Sequence, residues 1–427
     1  MLGIFKKSLW TKELTAWYLY DFANSFLYIN MIIYFSQWVV VDRGLSDFWY
    51  SVPVVIATSL LIFLSPYAGH FGDRTGKHFR VFAGSTLMVF ISLLLVVLAG
   101  RLVGNSSGVV LALIFFGIYQ LFYQLALVPY GAFMKYISNQ EIYGKVSGIG
   151  FGMSQLGHIA GILLTLPVIN GTITFFGDDR LATLLPALLA AMLFFLPSYF
   201  VFKRRAFPVA VRAAPMPFWG SFWHNLLESR RYPGVFRLLL SFYLFSDAIL
   251  TIGLYSAIYL ERVFGVSDEL KANIFMYVFA GFALGAFVGG TVADRWKHKP
   301  TLIWSLLFNT LSIMAIALLP TASKFLIPIY LIFGLTMGTT YASSRSYLAS
   351  LVPKEKSGTF FGLYVFAERF ASIVGPLVWG TVVFLFREQL PLNYRLAAAT
   401  MALFVLAAII PLLLSEKEQR YVQNPTI

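Results

Sequence analysis

The chain has 427 residues, of which 59% are hydrophobic and only 12% are charged, and its net charge is +13 at pH 7. A water-facing surface alone needs about 25% charged residues, so this composition excludes an ordinary soluble protein and predicts that lipid is the solvent. The absence of cysteine excludes disulfides, thiol catalysis and thiolate metal sites.

Twelve apolar stretches follow one another along the chain, each about as long as the 20 residues that cross a bilayer. They predict an all-α membrane protein of twelve transmembrane helices, mostly joined by short connections. The first span lacks the features of a removable signal peptide, so we expect it to remain. The predicted spans are 14–41, 49–69, 79–100, 108–134, 145–168, 181–202, 234–260, 272–293, 300–319, 325–350, 358–386 and 394–414.

The basic residues are distributed unevenly between the two sides of these spans. Most of the 32 Lys and Arg residues fall on the side of the N-terminus, and Arg345 and Arg369 fall inside spans. The positive-inside rule therefore predicts that both termini are cytoplasmic. Because topology accounts for the basic charge, we expect the lipid bilayer and not nucleic acid as a partner.

The first span carries a polar aromatic stripe. Trp17, Tyr20, Asp21, Asn24 and Tyr28 share one helical face. A charge at the centre of a span costs at least about 2.5 kcal/mol, so each ionisable residue there needs a reason. The stripe predicts the lining of a substrate cavity; the alternative is a packing contact in which neighbouring hydroxyls cap Asp21.

A short charged turn follows the second span, from Gly69 to residue 80. Glycines at its start and middle allow close backbone approach and a tight reversal. Asp73 can accept hydrogen bonds, while Arg74 and Lys77 stay charged at a membrane face. We expect Gly69, Asp73, Arg74, Gly76 and Lys77 to act in gating without touching substrate.

The fourth span offers four aromatic or amide side chains without charge. Such groups suit a hydrogen-bonded organic substrate, and the alternative is ordinary polar contacts inside the membrane. They are Tyr119, Gln120, Tyr123 and Gln124.

The longest connection, residues 203–233, is basic and rich in proline. It divides the chain into an N-terminal six-helix bundle, 1–202, and a C-terminal six-helix bundle with a short tail, 234–427. Apolar and aromatic side chains between Trp219 and Leu227 fall at helical spacing, which predicts an interfacial helix or, alternatively, a partly ordered linker.

The second half of the chain repeats the first. The charged turn recurs 221 positions later, with Asp294 and Arg295 in place of Asp73 and Arg74, and Lys297 in place of Gly76. Asp21 corresponds to Asp247 at an offset of 226. Two repeated six-helix halves are a transporter architecture with a binding site at their interface. Glycines of the fifth and eleventh spans match at an offset of 214: Gly144 with Gly358, Gly148 with Gly362 and Gly161 with Gly375.

Asp247 lies near the middle of the seventh span, with Tyr243 and Thr251 one turn away on either side. Arg369, at mid-depth of the eleventh span, is its expected partner, and Glu368 points about 100° around that helix. Protonation or substrate binding at Asp247 would then release Arg369 and bias the transport states. The alternative is a permanent structural ion pair.

Arg345 lies near the cytoplasmic end of the tenth span, at a depth where Asp294 can reach it. We expect a latch between these two residues that closes the cytoplasmic side. Substrate binding by Arg345 is the alternative.

The charged turn 69–77, the twelve spans and the repeat together resemble the major facilitator superfamily. Three further stretches are similar to its vacuole-effluxer-like branch, whose bacterial members are called an unknown major facilitator family. The resemblance implies that helices one, four, seven and ten line the cavity. The chain departs from the sequence pattern of this branch at Tyr123-Gln124 and at Glu368-Arg369. The three stretches are Trp17 to Ser25, Phe242 to Thr251, and Ala342 to Ser346 continuing to Phe360 to Tyr364 and Gly375-Pro376.

These features predict a secondary active transporter of a small organic solute that works by alternating access with proton or cation coupling. The fungal relative of the branch is a vacuolar amino-acid effluxer, so the resemblance favours an amino acid or similar metabolite; sugars and amphipathic drugs stay open. A monomer in a prokaryotic cytoplasmic membrane is expected.

An enzyme is not expected, and neither is a bound cofactor or metal. The sequence has no nucleotide-binding loop, and its five histidines form no pair at helical i, i+4 spacing. A membrane-embedded lipid-modifying enzyme is the alternative from a different class.

Overall fold

The computed structural model describes residues 9–102, 106–138, 143–175, 177, 179–205, 220, 227, 229–230, 232–321, 323–352 and 357–414. Within these residues the protein is helical and contains no strand. Eleven of the described helical stretches are long and apolar enough to cross a membrane, and Val374–Leu385 is a shorter apolar helix. The predicted all-α membrane fold is therefore confirmed.

The helices of the first half correspond to the first six predicted spans. Helix α1 continues through π-helical turns as far as Asp42, and a short 3₁₀ turn precedes α6. The Thr11 hydroxyl accepts a hydrogen bond from the Leu14 N–H and so caps the start of α1. The bounds are α1 Lys12–Asn30, α2 Asp47–Thr75, α3 His78–Leu102, α4 Ser106–Ile137, α5 Tyr143–Ile169 and α6 Leu184–Lys203.

The helices of the second half follow the same order. Helix α7 continues through the π-helical turn Leu260–Phe264, and the Ser267 hydroxyl caps the start of α8. The bounds are α7 Pro233–Tyr259, α8 Asp268–Trp296, α9 His298–Leu318, α10 Leu326–Leu351, α11 Ser357–Phe370, α12 Val374–Leu385, α13 Leu392–Ala407 and α14 Ile409–Leu413.

The chain separates into two compact units. Unit 1 contains residues 1–44 and 56–213, and unit 2 contains residues 45–55 and 214–427, so the first turns of α2 pack within unit 2. In unit 1, α1 packs against α5 and α6, and α3 against α4. In unit 2, α7 packs against α11 and α13, and α9 against α10. These three pairings are equivalent in the two units, as a repeated chain predicts, and in unit 2 α8 also packs against α10.

Helix α3 illustrates why these sequences form membrane-facing helices. Its exposed side chains Leu87, Ile91, Leu94 and Leu98 recur at helical spacing and are all apolar. An apolar surface on the outside of a helix favours lipid as its surroundings. Hydroxyls on the inside donate to their own helix, as Thr86 does to the Phe82 carbonyl at 2.9 Å.

The eleventh span differs from its prediction. The sequence predicts one helix over 358–386, whereas α11 ends at Phe370 and α12 begins at Val374, with three residues in a turn between them. The twelfth span is also divided, at Ala408, into α13 and α14. The predicted interfacial helix in the linker and the C-terminal tail lie almost entirely outside the described residues.

Candidate functional site

Asp21 is the ionisable residue at the centre of the polar stripe on α1. Its side chain is half-buried and lies next to the Tyr130 side chain of α4, with Tyr20 and Tyr123 also within electrostatic range. No cationic side chain pairs with Asp21 within the described part of the chain. A carboxylate surrounded by tyrosines and without a basic partner is suited to binding a cationic group or a proton.

Two other members of the stripe hold the bundle together. The Trp17 indole N–H donates to the Tyr130 carbonyl at 2.9 Å, and the two rings stack with centroids 4.5 Å apart. The Tyr20 and Thr86 hydroxyls are 3.3 Å apart. Trp17 and Tyr20 are only 5% and 2% exposed, so both are packing residues in this structure. Their contact with substrate stays a prediction.

Further along α1, Tyr28 joins an aromatic group from α4 and α5. Its ring stacks on Tyr123 with centroids 5.5 Å apart, and the His158 ring lies 5.8 Å from it. Tyr28 and Tyr123 are half-buried, whereas Asn24 is buried. The half-buried tyrosine pair offers a ring face to a planar or cationic group.

The remaining predicted residues of α4 have different surroundings. Tyr119 is buried and its ring lies 5.7 Å from that of Tyr123. Gln120 is also buried, while the Gln124 amide donates to the Thr58 hydroxyl of α2 at 3.3 Å. The four predicted residues therefore form one continuous polar aromatic strip along α4, within unit 1.

Asp247, the counterpart of Asp21, lies in a different environment. It is fully buried, and its Oδ2 accepts a hydrogen bond from the Gly375 N–H at 2.8 Å. Thr251 donates to the Asp247 carbonyl at 2.6 Å, and Tyr243 lies near the carboxylate. The predicted partner Arg369 has its side chain outside the described residues, so that ion pair stays a prediction.

The Gly375 N–H is available because the eleventh span is broken there. Gly375 is the second residue of α12, where backbone N–H groups have no acceptor within the helix. Pro376, which follows, has no N–H to bond to the preceding turn. A proline need not break a helix in this chain, because Pro129, Pro167 and Pro197 lie inside continuous helices.

Tyr364 lies one turn before the two predicted charged residues of α11. Its hydroxyl and that of Ser344 are 2.7 Å apart, and its ring stacks closely on Phe242. Glu368 is half-buried and lies near Tyr364, as does the exposed Arg345 of α10. The structure therefore brings Tyr364, Glu368 and Arg345 into one neighbourhood within unit 2.

Each of the two charged turns contains a residue with a positive φ angle. Gly76 has φ +66°, and Lys297 at the equivalent position has φ +78°. Gly69 is half-buried on α2, where a Cβ atom would lie 3.8 Å from the Val128 side chain, while Lys77 and Arg295 are exposed. The side chains of Asp73, Arg74 and Asp294 lie outside the described residues, so the predicted latch with Arg345 stays a prediction.

The buried carboxylate of Asp47 at the start of α2 was not predicted from the sequence. Asp47 is 1% exposed and accepts a hydrogen bond from the Tyr394 hydroxyl at 2.6 Å. Tyr255, which donates to the Asp47 carbonyl, stacks on Trp379 with centroids 5.0 Å apart. The predicted span begins at residue 49, so Asp47 is assigned to a loop, and no sequence signal distinguishes it from an exposed helix start.

Comparison with known proteins agrees with this architecture. The family model described as Major Facilitator Superfamily matches residues 148–376, more than half of the chain. The "Uncharacterized MFS-type transporter YxiO" of Bacillus subtilis (strain 168) is 25% identical over 395 residues, which cover 86% of this chain and 87% of that protein.

Two further comparisons cover a fungal relative and a solved structure. Autophagy-related protein 22 of Eremothecium gossypii is 25% identical over 203 residues, 45% of this chain and 39% of that protein. The crystal structure of a mutant form of the nucleoside transporter NupG superimposes with a TM-score of 0.76 at 12% identity, covering 95% of this chain and all of that one.

Proposed function

The chain belongs to the Major Facilitator Superfamily, and from that premise we propose that it is a secondary active transporter of a small organic solute. It works by alternating access and is coupled to a proton or another cation. The membrane fold and the transporter relatives support transport over an enzymatic role. Both termini face the cytoplasm, and the protein acts as a monomer in a prokaryotic cytoplasmic membrane.

The surroundings of Asp21 are the observation that carries this proposal. Its carboxylate is half-buried among tyrosines inside a membrane bundle and has no basic partner in the described part of the chain. An intramembrane carboxylate is costly and marks substrate or proton pathways. We infer that Asp21 binds the cationic group of the solute, and that Tyr28 and Tyr123 bind its adjacent face.

An amino acid or a similar metabolite fits this arrangement best. It carries an ammonium group, which suits the Asp21 carboxylate. The similarity to autophagy-related protein 22 supports this class of substrate, because the vacuole-effluxer-like branch that the chain resembles has a fungal relative that is a vacuolar amino-acid effluxer. A sugar or an amphipathic drug is the alternative substrate, because aromatic side chains bind such molecules as well.

The test is a two-stage assay with purified protein. Thermal unfolding is first measured with a panel of amino acids, sugars, nucleosides and cationic amphiphiles at two pH values, because a ligand that binds only the folded state raises its stability. The solutes that stabilise the protein are then followed as radiolabelled uptake into proteoliposomes, with and without a pH gradient. We expect stabilisation and uptake for at least one solute that carries an amine.

Asp21→Asn tests the assignment of the binding group. Removing the charge of Asp21 should abolish stabilisation by the amine-bearing solute. Glu13→Gln is the control: Glu13 also lies on α1, but its charge pairs with Arg205 at a partly exposed position, so its removal should leave the stabilisation unchanged. Full binding by the Asp21→Asn variant would contradict the role of Asp21. Catalytic turnover of a lipid by the purified protein would instead favour the membrane-embedded enzyme.

A further inference from the structure

We propose that Asp247 is a positioning residue whose carboxylate caps the start of α12 and holds the break in the eleventh span during transport. The capping contact is independent of substrate. Its effect on turnover rests on the proposed transport function.

The contact replaces a local helix cap. Helix α12 begins at Val374, and its N-cap residue Ile373 has no side chain that can accept a hydrogen bond. The first N–H groups of a helix need acceptors, and a Ser, Thr, Asp or Asn at the N-cap supplies one in most helices. Here Asp247 supplies the acceptor from α7, at 2.8 Å from the Gly375 nitrogen.

The charge of the carboxylate suits this position. Aligned peptide dipoles make a helix N-terminus positive, and in the membrane interior water is not present to replace a missing acceptor. The second oxygen of Asp247 is buried and has no hydrogen-bond partner among the described residues. The carboxylate is therefore oriented by the helix end it caps.

The neighbouring residues are fitted to the contact. A Cβ atom on Gly375 would lie 2.8 Å from Oδ1 of Asp247 and would also overlap the Thr251 hydroxyl. Only glycine allows α12 to approach α7 this closely. The Thr251 hydroxyl in turn donates to the backbone carbonyl of Asp247, and this bond holds the Thr251 side chain beside Gly375.

The contact also accounts for why the span is interrupted here. Three non-helical residues, 371–373, join α11 to α12, and Pro376 removes the hydrogen bond that would otherwise continue the helix. Pro129, Pro167 and Pro197 sit in unbroken helices, so proline alone does not account for the break, and the exposed N–H groups of α12 need an acceptor. Loss of that acceptor would shift the balance between the broken and a continuous form of the span.

A double-mutant cycle between Asp247 and Pro376 tests the cap. Asp247→Leu removes the acceptor while keeping the branched shape of the side chain and should lower the melting temperature of the purified protein. Pro376→Ala allows the helix to continue, so adding Asp247→Leu to this background should cost clearly less. Equal losses in both backgrounds would overturn the capping role. This measurement needs no substrate, so a parent protein that does not transport would overturn the proposed function alone.

The transport readout separates positioning from substrate binding and from coupling. Asp247→Asn, which weakens the cap by removing its charge, should lower the maximal rate roughly tenfold or more in both pH-driven uptake and substrate counterflow, with little change in KM. Normal counterflow with lost pH-driven uptake would assign Asp247 to proton coupling only and overturn positioning. A raised KM at an unchanged maximal rate would make it a substrate contact, with the same consequence.

Two glycine variants complete the test. Gly375→Ala places a methyl group against the capping carboxylate and should reproduce the turnover defect of Asp247→Asn without altering any charge. Gly253→Ala, on the same helix as Asp247, meets nothing within 4 Å and should keep the stability and turnover of the parent. Parent-like turnover in Gly375→Ala would contradict the proposal.

Discussion

The fifth and eleventh spans are the same element of the two repeats, yet one is a single helix and the other is two. Helix α5 is unbroken from residue 143 to residue 169, while the eleventh span stops at Phe370 and restarts at Val374. At the offset of 214, Gly157 of α5 corresponds to Ala371, the first residue of the break. The same span is thus continuous in the first repeat and interrupted in the second.

The continuous helix α5 is closely packed against α1. A Cβ on Gly157 would overlap the Phe22 carbonyl of α1 and lie 2.8 Å from the Ser25 Cβ, and one on Gly161 would lie 3.1 Å from the Phe26 Cα. Small residues at such spacing let membrane helices approach closely. In the eleventh span Gly375, the counterpart of Gly161, contacts a carboxylate that caps a helix end.

The largest predicted effect comes from giving α5 the residue that the eleventh span has. Gly157→Ala should lower the stability of the protein by about 1–3 kcal/mol, because the added methyl group meets backbone that cannot move aside. Thermal unfolding in detergent measures the change.

Gly152→Ala is the matched control for that variant. Gly152 lies on the same helix, is exposed and has nothing within 4 Å of a Cβ atom, so its replacement should not destabilise the protein. Equal stability of the two variants would mean that α5 tolerates the alanine, and the explanation of the difference between the spans would then be wrong.

The charged turns give a second comparison between the repeats. Both require a positive φ, and the first uses Gly76 whereas the second uses Lys297, with φ +78° and ψ +145°. A residue with a side chain is strained in this region by of order 1–3 kcal/mol. The second turn therefore keeps a positive φ although it has a lysine where the first turn has a glycine.

Exchanging the residues should move stability in opposite directions. Lys297→Gly should raise the stability by about 1 kcal/mol by removing strain, and Gly76→Ala should lower it by about as much. Lys297→Ala, which keeps the strain but removes the charge, serves as the control and should bring no gain. A gain in Lys297→Ala equal to that in Lys297→Gly would attribute the effect to the charge.

Sequence patterns predicted the parts of the molecule that obey periodicity. The spans, the repeat and the turn at Gly76 follow from apolar length, constant offsets and glycine chemistry. The break at Ala371 was not predicted, because Gly375-Pro376 resembles other proline sites that stay helical and its cap comes from Asp247, more than 120 residues earlier. Asp47 was missed for the same reason, since only tertiary packing buries it against Tyr394.

The smallest predicted effect distinguishes the two spans most directly. Ser154 of α5 corresponds to Glu368 at the offset of 214, and its hydroxyl lies 2.9 Å from that of Ser25 on α1. In Ser154→Ala, Ser25 keeps its bond to the Asp21 carbonyl at 2.8 Å, so the loss should be about 0.6 kcal/mol, typical of interhelical hydrogen bonds in membranes. Transport should stay unchanged.

Glu368→Gln is the counterpart on the jointed span, and here the expected pattern reverses. The variant keeps the shape of the side chain and should leave thermal stability almost unchanged, while the transport rate falls because a half-buried charge beside Tyr364 is lost. Measuring melting temperature and uptake on both variants gives a two-by-two comparison. Unchanged transport in Glu368→Gln would mean that Glu368, like Ser154 of α5, has no role in transport. The two spans would then differ in the helix break alone.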